Sequence, residues 1–179
     1  MNKDLTDAEF LVLGLVAEMP RHGYQLEQVI EQRGMREWTQ IGFSSIYFVL
    51  SKLEKKELIC SEKPTRTKAK KIFTMTDAGH EVLVSQALAA LREIRPTYSS
   101  ALLGMAHWPV LERGQALEAL RVRGEAVNAE MMRVEDILMD KQPLPDFVEA
   151  LFDYSIGQLK AETEWIARTL DYMNTKPWI

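Results

Sequence analysis

Residues 43–79 read FSSIYFVLSKLEKKELICSEKPTRTKAKKIFTMTDAG, and the rest of the chain is best understood as support for them. Ile46, Leu50 and Leu53 recur at i, i+4 and i+7, so they lie on one face of a helix and point inward. Ser44 is a good N-cap for this helix, because its hydroxyl can accept a hydrogen bond from an unpaired backbone N–H group. The pattern therefore predicts a short helix after Ser44 with a polar and aromatic face left over.

A β-hairpin is predicted directly after this helix. Residues 58–60 and 71–75 read as two short strands, and residues 62–70 between them are too polar to be buried. A helix followed by a hairpin with a cationic tip is the winged-helix arrangement, in which the helix enters the major groove of DNA. The alternative is a solvated hairpin whose lysines keep its edges from aggregating.

The distribution of charge favours a nucleic-acid contact that is local. The net charge of −4 argues against a protein that coats nucleic acid by bulk charge. Residues 1–80 hold 12 Lys and Arg against 11 Asp and Glu, whereas residues 81–179 hold 10 against 15. Eight of the cations lie within residues 52–71. A basic stretch in an acidic protein is expected of a sequence-specific binder with a separate assembly or sensing half.

Several other classes of protein are disfavoured. The three histidines are widely spaced and lack partners at metal-ligand spacing, so no metal site is expected. No glycine-rich phosphate loop or nucleophile motif is present, so we expect no enzyme, no catalytic residue and no cofactor. Cys60 is the single cysteine, which excludes an intrachain disulfide. The longest apolar run, residues 10–17, is too short to span a bilayer, so we expect a cytoplasmic protein without a membrane partner.

The chain is predicted to form two domains that are mainly α-helical, with the hairpin as the β component. Residues 1–95 are expected to form a winged helix-turn-helix domain that ends in a connector helix. Its first helix begins at a capping box in which Thr6 and Glu9 cap each other's backbone. Residues 96–179 are expected to form a helical dimerisation domain, with ligand sensing as a further possible role.

Two long helices are predicted in the second domain, within residues 110–141 and 145–174. On both, apolar residues repeat every three or four positions, which is typical of a coiled-coil seam. The second helix carries a further apolar stripe, namely Phe147, Leu151, Tyr154, Ala161, Trp165 and Tyr172. Two stripes need two neighbours, so we expect one neighbour to come from another subunit; alternatively, the further stripe packs on the N-terminal domain. The side chains expected to mediate dimerisation are Leu117, Leu120, Val127, Val134, Leu138, Phe152, Ile156, Leu159, Trp165, Ile166 and Leu170.

Several motifs together resemble the PadR family of bacterial transcriptional regulators, specifically the longer subgroup with a two-helix C-terminal domain. The resemblance rests on residues 13–15 (LGL), 22–26 (HGYQL), 45–50 (SIYFVL), 52–54 (KLE) and 72–79 (IFTMTDAG). It extends over nearly the whole chain and is looser in the C-terminal half. It implies a homodimeric repressor or activator that binds an inverted-repeat operator and that is released by a small ligand in some members.

Three positions depart from the family pattern. The family often has proline, glycine and tyrosine where this chain has Phe48, Glu57 and Phe73. Phe48 adds an aromatic ring to the outward face of the reading helix, Glu57 changes the turn into the first strand, and Phe73 removes a hydroxyl. The fold is expected to survive these changes, but the DNA sequence preference does not carry over.

The expected DNA-binding residues come from the helix, the helix before it and the hairpin tip. Ser45, Phe48 and Lys52 are expected to reach base edges, while Lys55 is expected to contact the backbone. The full predicted set is His22, Tyr24, Gln25, Ser44, Ser45, Tyr47, Phe48, Lys52, Lys55, Arg66, Lys68 and Lys70. For Tyr47 packing inside the domain is an alternative, and for His22 a surface cap. A rival for the whole protein is a winged-helix protein–protein adaptor that dimerises without specific DNA binding.

A small-molecule effector is the last expectation. Trp38, Tyr98, His107 and Trp108 are aromatic residues near the linker and the start of the long helices, where a cavity between the domains could form. Each of them could equally be an ordinary core residue.

Overall fold

The computed structural model describes residues 5–37, 39, 45–62, 71–96 and 98–176, and it divides into two compact units. The first unit is Met1–Pro96 and the second is Thr97–Ile179. Helices dominate both units, and a small antiparallel sheet lies in the first. The predicted fold class, mainly α with a winged helix-turn-helix, is confirmed.

The described part of the first unit contains four α-helices and three strands. In chain order they are α1 (Asp7–Glu18), β1 (Arg21–His22), α2 (Gly23–Gln32), α3 (Ser45–Lys55), β2 (Ile59–Glu62), β3 (Ile72–Met75) and α4 (Asp77–Arg92), with a short 3-10 turn at Met35–Glu37 after α2. The predicted capping box at the start of α1 is present: Thr6 Oγ1 accepts from the Glu9 backbone N–H at 3.3 Å, and Glu9 Oε2 accepts from the Thr6 backbone N–H at 2.9 Å.

One closed core holds these helices together. Its fully buried side chains come from α1, α2, α3, the turn after α3 and the start of β2, and they include Leu13, Leu26, Ile30, Leu50 and Leu58. The inward face predicted for α3 is confirmed, because Ile46, Leu50 and Leu53 are at most 1 % exposed. Burial of apolar side chains of this size contributes about 1.5–3 kcal/mol each, so α3 is firmly anchored from behind.

The sheet has three strands rather than the two of the predicted hairpin. Its order is β1-β3-β2, and both pairings are antiparallel. In the register of β1 and β3, Arg21 lies opposite Phe73 and His22 lies opposite Ile72. A strand of two residues has no alternation to detect, so only its pairing reveals it.

The start of α4 is fixed to the chain that enters β2. Thr76 Oγ1 lies 2.8 Å from the carbonyl oxygen of Glu57 and 3.0 Å from that of Leu58, and it accepts from the Gly79 backbone N–H at 3.0 Å. A Cβ atom at Gly79 would lie 2.0 Å from the Leu58 carbonyl oxygen. The Thr76-Asp77-Ala78-Gly79 motif therefore connects α4 to the hairpin of β2 and β3, which is called the wing below.

The second unit consists of helices. They are α5 (Ser100–Ala106), α6 (Arg113–Asp140) and α7 (Asp146–Thr175), with a 3-10 turn at Trp108–Val110. The two long helices pack along the predicted seam, in which Leu120 and Val127 of α6 and Ile156 and Ile166 of α7 are buried. A Cβ atom at Gly124 would lie 3.4 Å from Ile166 Cγ2, so the helices approach each other closely there.

Candidate nucleic-acid interface

The outer face of α3 is exposed, polar and aromatic. Tyr47 and Phe48 are 58 % and 61 % exposed, and Ser51, Lys52 and Lys55 on the same helix are also exposed. An exposed apolar patch that is rimmed by polar residues is one mark of an interaction site. A helix with this face fits the dimensions of a DNA major groove, where cations pair with guanine edges and apolar groups contact thymine methyls.

Phe48 and Lys52 form one unit on this face. Lys52 Nζ lies over the Phe48 ring, 4.5 Å from its centroid, which is within the range of a cation–π interaction. The ring therefore restrains the ammonium group at the centre of the exposed face. The position at which this chain departs from the PadR pattern thus takes part in presenting a cation.

The predicted residues of α2 are placed beside α3 and the wing. His22 Nδ1 lies 3.0 Å from the Lys71 carbonyl oxygen, and the His22 backbone N–H donates to Gln25 Oε1 at 2.9 Å. Tyr24 is 53 % exposed. A Cβ atom at Gly23 would lie 2.6 Å from a ring carbon of Tyr47, so Tyr47 lies against the backbone at the start of α2. His22 and Gln25 therefore have structural roles, and their contact with DNA stays a prediction.

Some of the predicted DNA-binding residues lie outside the described residues. These are Ser44 before α3 and Arg66, Lys68 and Lys70 in the hairpin tip. Ser45 begins α3, but its side chain is outside the described set. The predictions for these five residues rest on the sequence.

Glu54 is a site residue that the sequence analysis missed. It accepts a hydrogen bond from the Ser61 hydroxyl on β2, and its Oε2 lies 3.2 Å from Lys71 Nζ, directly before β3. The hydrogen bond from Ser61 lowers the pKa of Glu54, and Lys71 lowers that pKa further, so the carboxylate is charged at neutral pH. Lys71 counts among the cations of the hairpin, yet it is engaged by this carboxylate.

A second group of charges joins α1, β1 and α2. Glu18 at the end of α1 accepts from Arg21 at 2.9 Å and from Arg33 at 2.5 Å, and Arg21 also donates to the Leu15 carbonyl oxygen at 2.5 Å. The hydrogen bond from Arg33 lowers the pKa of Glu18, and the one from Arg21 adds to this. Arg21 is 7 % exposed although it belongs to a two-residue strand. This group fixes the turn from which α2 starts.

In the second unit, the side chains predicted for dimerisation lie in contact with their own chain. Leu120, Val127, Ile156 and Ile166 are buried, and the other seven of the set are half-buried. Leu117, Trp165 and Leu170 pack on a cluster of Ala116, Leu120 and Met173. The further stripe of α7 is different: Phe147, Leu151, Tyr154 and Tyr172 are 52–71 % exposed, whereas Trp165 is half-buried. The role of either set in dimerisation stays a prediction.

A cavity of about 260 Å³ lies within the second unit, among α5, α6 and α7. Trp108 and Trp165 both line it, together with Met105, Leu120 and Arg123. Of the four predicted pocket residues, Trp108 is in this cavity, Tyr98 is 86 % exposed and His107 is exposed, so those two do not line it. Trp38 lies outside the described residues. Tyr98 precedes α5 and His107 follows it, and a ligand contact of either residue stays a prediction.

Two further observations concern other kinds of site. Among the residues with described placement, no group of three or more His, Cys, Asp and Glu side chains could hold a metal ion. No helix within the described ranges is both long and apolar enough to cross a membrane.

Comparison with known proteins gives matches in the first unit and over the whole fold. Residues 12–85 match the transcriptional regulator PadR-like family. An uncharacterized 37.1 kDa protein in transposon TN4556 of Streptomyces fradiae is 36 % identical over 98 residues. This match spans 54 % of the present chain and 26 % of that protein, so the chain covers about a quarter of this relative.

Solved structures match nearly the whole chain at low sequence identity. Bacillus subtilis PadR in complex with operator DNA superimposes with a TM-score of 0.73 at 21 % identity, over 92 % of this chain and 98 % of that one. The complex of the same protein with p-coumaric acid gives 0.74 at 20 % identity, over 93 % and 98 %. A PadR-like transcriptional regulator from Bacillus cereus gives 0.70 at 21 % identity, over 96 % and 100 %. The fold is therefore that of these regulators in both units.

Proposed function

Because residues 12–85 match the transcriptional regulator PadR-like family, we propose that the chain is a homodimeric repressor that binds an inverted-repeat operator through α3 and the wing. The observation that carries the proposal is the outer face of α3, where Lys52 is held over the exposed ring of Phe48. In this proposal Phe48 and Lys52 contact base edges, Lys55 contacts phosphate, and Arg66, Lys68 and Lys70 reach the neighbouring backbone. The protein acts in the cytoplasm, where bacterial operator DNA lies.

A second copy of the chain completes the binding unit. Phe147, Leu151 and Tyr154 leave one face of α7 apolar and exposed, and a contiguous apolar face of this kind marks an interaction site. A two-fold axis through such an interface would relate two copies of α3. Two reading helices related in this way enter successive major grooves about 34 Å apart. The inverted repeat of the operator follows from this symmetry.

The decisive experiment selects binding fragments from the source genome with the purified protein and then footprints the best one. We expect one inverted repeat with each half-site protected. Lys52→Ala is expected to weaken binding to this operator more than binding to unrelated DNA, because the lost contact is to a base. Lys68→Ala with Lys70→Ala is expected to weaken binding to every DNA alike and to flatten the salt slope by roughly 0.9 per lost phosphate contact.

The matched control for the wing variant is Lys141→Ala with Lys176→Ala, which removes two charges at the ends of α6 and α7. It is expected to leave both affinity and salt slope as in the wild type. If no fragment is preferred and the wing variant binds like the control, the proposal fails and the protein–protein adaptor is favoured. Binding that is specific but involves only one half-site would contradict the homodimer alone.

We also propose that a small aromatic effector occupies the cavity in the second unit and weakens operator binding. The cavity places two indole rings, Trp108 and Trp165, around a space of about 260 Å³, and mostly apolar cavities with few polar groups are typical ligand sites. Of the solved structures with this fold, one contains p-coumaric acid. Aromatic acids are therefore the first compounds to test by thermal shift and by release of the operator.

A variant whose own side chain fills the cavity provides the control for this test. Gly104 lines the cavity and has open space around it, so Gly104→Leu is expected to abolish the thermal shift by occupying the site. Gly114 at the start of α6 has the same open surroundings outside the cavity lining, so Gly114→Leu is expected to respond like the wild type. A shift that persists in Gly104→Leu would exclude this cavity as the site.

A further inference from the structure

We infer that Glu54 is the positioning residue that holds α3 and the wing in one fixed arrangement for DNA binding. The inference rests on the proposed function, since it concerns how the two DNA-contacting elements are kept together. Glu54 lies in the last turn of α3, directly before Lys55, and its side chain is 33 % exposed. It is thus the acidic residue of α3, a helix whose exposed face is otherwise cationic and aromatic.

The contacts of Glu54 reach both strands at the base of the wing. Its Oε1 atom accepts from the hydroxyl of Ser61, which lies opposite Phe73 in the β2–β3 register. Its two carboxylate oxygens lie 3.4 and 3.2 Å from Nζ of Lys71, which directly precedes β3. A single carboxylate therefore joins the helix to the strand that enters the wing and to the strand that leaves it. The hydrogen bond from the Ser61 hydroxyl has a charged acceptor and is therefore stronger than a neutral one, so it resists rotation of the wing, while the longer ion pair with Lys71 adds a second contact.

Lys71 extends this joint to α2. Its carbonyl oxygen lies 3.0 Å from Nδ1 of His22, and its ammonium group lies 5.8 Å from the centroid of the Phe73 ring. Lys71 thereby links three places. Its side chain contacts the end of α3, its carbonyl oxygen contacts the start of α2, and Lys71 itself lies at the base of the wing. Lys71 therefore makes its contacts within the first unit, hereafter called the head, in contrast to the other cations of the hairpin, which are proposed to contact phosphate.

If Glu54 has no positioning role, removing its carboxylate should change the affinity for DNA in the opposite direction. If Glu54 were only an exposed acid beside the DNA, it would repel the phosphates, and its removal would strengthen binding to every DNA. If Glu54 holds the wing, its removal weakens operator binding although a negative charge has been lost. The sign of the change in affinity therefore separates positioning from simple electrostatics.

The experiment compares Glu54→Ala with Glu81→Ala, which removes the same charge from an exposed position on α4 of the same unit. We expect Glu54→Ala to lose about tenfold in operator affinity, the order of effect of a charged hydrogen bond. Its salt slope should flatten by roughly 0.9 for each wing phosphate that is no longer reached. Glu81→Ala should bind as tightly as the wild type or slightly more tightly.

A charge swap tests whether the ion pair between residues 54 and 71 itself holds the wing, because exchanging the two charges keeps the pair. Lys71→Glu alone should weaken binding, and Glu54→Lys combined with Lys71→Glu should restore affinity to within about threefold of the wild type, at unchanged net charge. Should Glu54→Ala fail to fold, Glu54→Gln takes its place, because the amide keeps an acceptor for Ser61 and loses the ion pair with Lys71. Circular dichroism establishes folding for each variant before binding is measured.

The outcomes separate this inference from the proposed function. A wild-type protein that selects no operator overturns the proposed function and the inference with it. A wild-type protein that selects an operator while Glu54→Ala binds as tightly as Glu81→Ala overturns the inference alone. A swap that binds no better than Lys71→Glu overturns it as well, because the restored pair should hold the wing equally.

Discussion

The helices α1, α2 and α3 of the first unit and the helix α7 of the second bury their apolar side chains to very different extents. In the described part of the first unit, the core side chains of α1, α2 and α3 are almost all below 5 % exposure, and charged groups around them are paired. In the second unit, Ile156, Ile166 and Met173 are the buried residues of the 30-residue helix α7, while several large apolar side chains of the same helix lie open. Helices α1, α2 and α3 thus complete their core with their own chain, whereas α7 has apolar surface left over. In the first unit, Leu91 near the end of α4 and Ile94 after it are also exposed.

This difference indicates which interactions stabilise each unit. The closed core anchors α3, because its side chains Ile46, Leu50 and Leu53 are buried against the other helices of the first unit. The seam of α6 and α7 satisfies one stripe on each helix, and the exposed stripe of α7 remains for another surface. The head is therefore expected to owe its stability to internal packing, and the helical unit to association.

The largest effect is expected from a substitution that creates a cavity in the core of the head. Leu53→Ala removes a side chain of α3 that is 0 % exposed, and it is expected to lower the free energy of unfolding by about 2–5 kcal/mol. Urea unfolding followed by circular dichroism measures it. The matched substitution Leu103→Ala in α5, where the side chain is 68 % exposed, should change the unfolding free energy by at most about 0.5 kcal/mol. Equal effects of the two substitutions would mean that the head is not the closed unit described.

The second test adds a charge to the open stripe of α7. Leu151→Glu is expected to weaken dimerisation by roughly 3 kcal/mol, about two orders of magnitude in Kd, because the carboxylate would be desolvated without a partner. Analytical ultracentrifugation over a dilution series measures it. Ala167→Glu adds the same charge to an exposed position outside the two apolar stripes of α7 and should leave the dimer intact. If both variants dimerise like the wild type, another surface joins the copies.

The structural features that follow from a regular local spacing of residues could be predicted from the sequence. The inward face of α3, the capping box at Thr6 and the seam of the long helices each follow from a local spacing, and the structure contains all three. The second stripe of α7 was predicted in the same way, although the half-buried Trp165 belongs to the cavity as well. Periodicity is a reliable guide to which face of an element is apolar.

What the sequence did not predict depends on contacts between distant segments. Strand β1 exists because Arg21 and His22 pair with β3, about 50 residues later. The joint at Glu54 depends on a hairpin that brings Ser61 and Lys71 to the same carboxylate. Neither leaves a periodic signal. An acidic residue at the end of an otherwise cationic reading helix was the one available hint, and it gains meaning only from its partners.

A third test uses the buried carboxylate of the head. Burial raises the pKa of Glu9, but the hydrogen bond from the Thr6 backbone and the ion pair with Lys56 at 2.9 Å outweigh it and lower that pKa below 4.5. The stabilisation by Glu9 is therefore fully present above pH 4.5 and is lost as the pH falls through the lower, folded-state pKa. Glu9→Gln should cost about 1–3 kcal/mol at pH 7, with a smaller difference from the wild type at pH 3 to 4.

The comparison for Glu9 is a surface pair of the helical unit. Glu130 on α6 is 46 % exposed and bonds Arg133 at 2.7 Å, and the hydrogen bond lowers its pKa too. Because solvent screens this pair, Glu130→Gln should change the unfolding free energy by less than about 0.5 kcal/mol. Unfolding titrations of both variants between pH 3 and 7 measure the difference. A constant gap for Glu9→Gln across this range would show that the charge of Glu9 is unimportant.

The smallest expected effect concerns strain that the closed head tolerates. Glu57 has a φ angle of 59°, which L-residues other than glycine adopt with difficulty. Glu57 follows α3 in a turn that is closed by two backbone hydrogen bonds. The Leu58 N–H donates to the Leu53 carbonyl oxygen and the Glu57 N–H donates to the Glu54 carbonyl oxygen, each at 3.0 Å. This hydrogen-bond pattern ends many helices and usually has glycine at this position. The backbone, rather than the Glu57 side chain, also provides the carbonyl that Thr76 contacts.

Glu57→Gly should therefore raise the free energy of unfolding by about 0.5–1 kcal/mol, since the relief of the left-handed conformation exceeds the entropy that glycine gains in the unfolded chain. Gly34, with a φ angle of 61° after α2, provides the reverse experiment. Gly34→Glu should lower the unfolding free energy by about 1–2 kcal/mol. If Glu57→Gly destabilises the protein while Gly34→Glu behaves as expected, the Glu57 side chain must contribute more than its strain costs. The head would then owe part of its stability to a surface residue, and its contrast with the helical unit would be weaker than the buried side chains suggest.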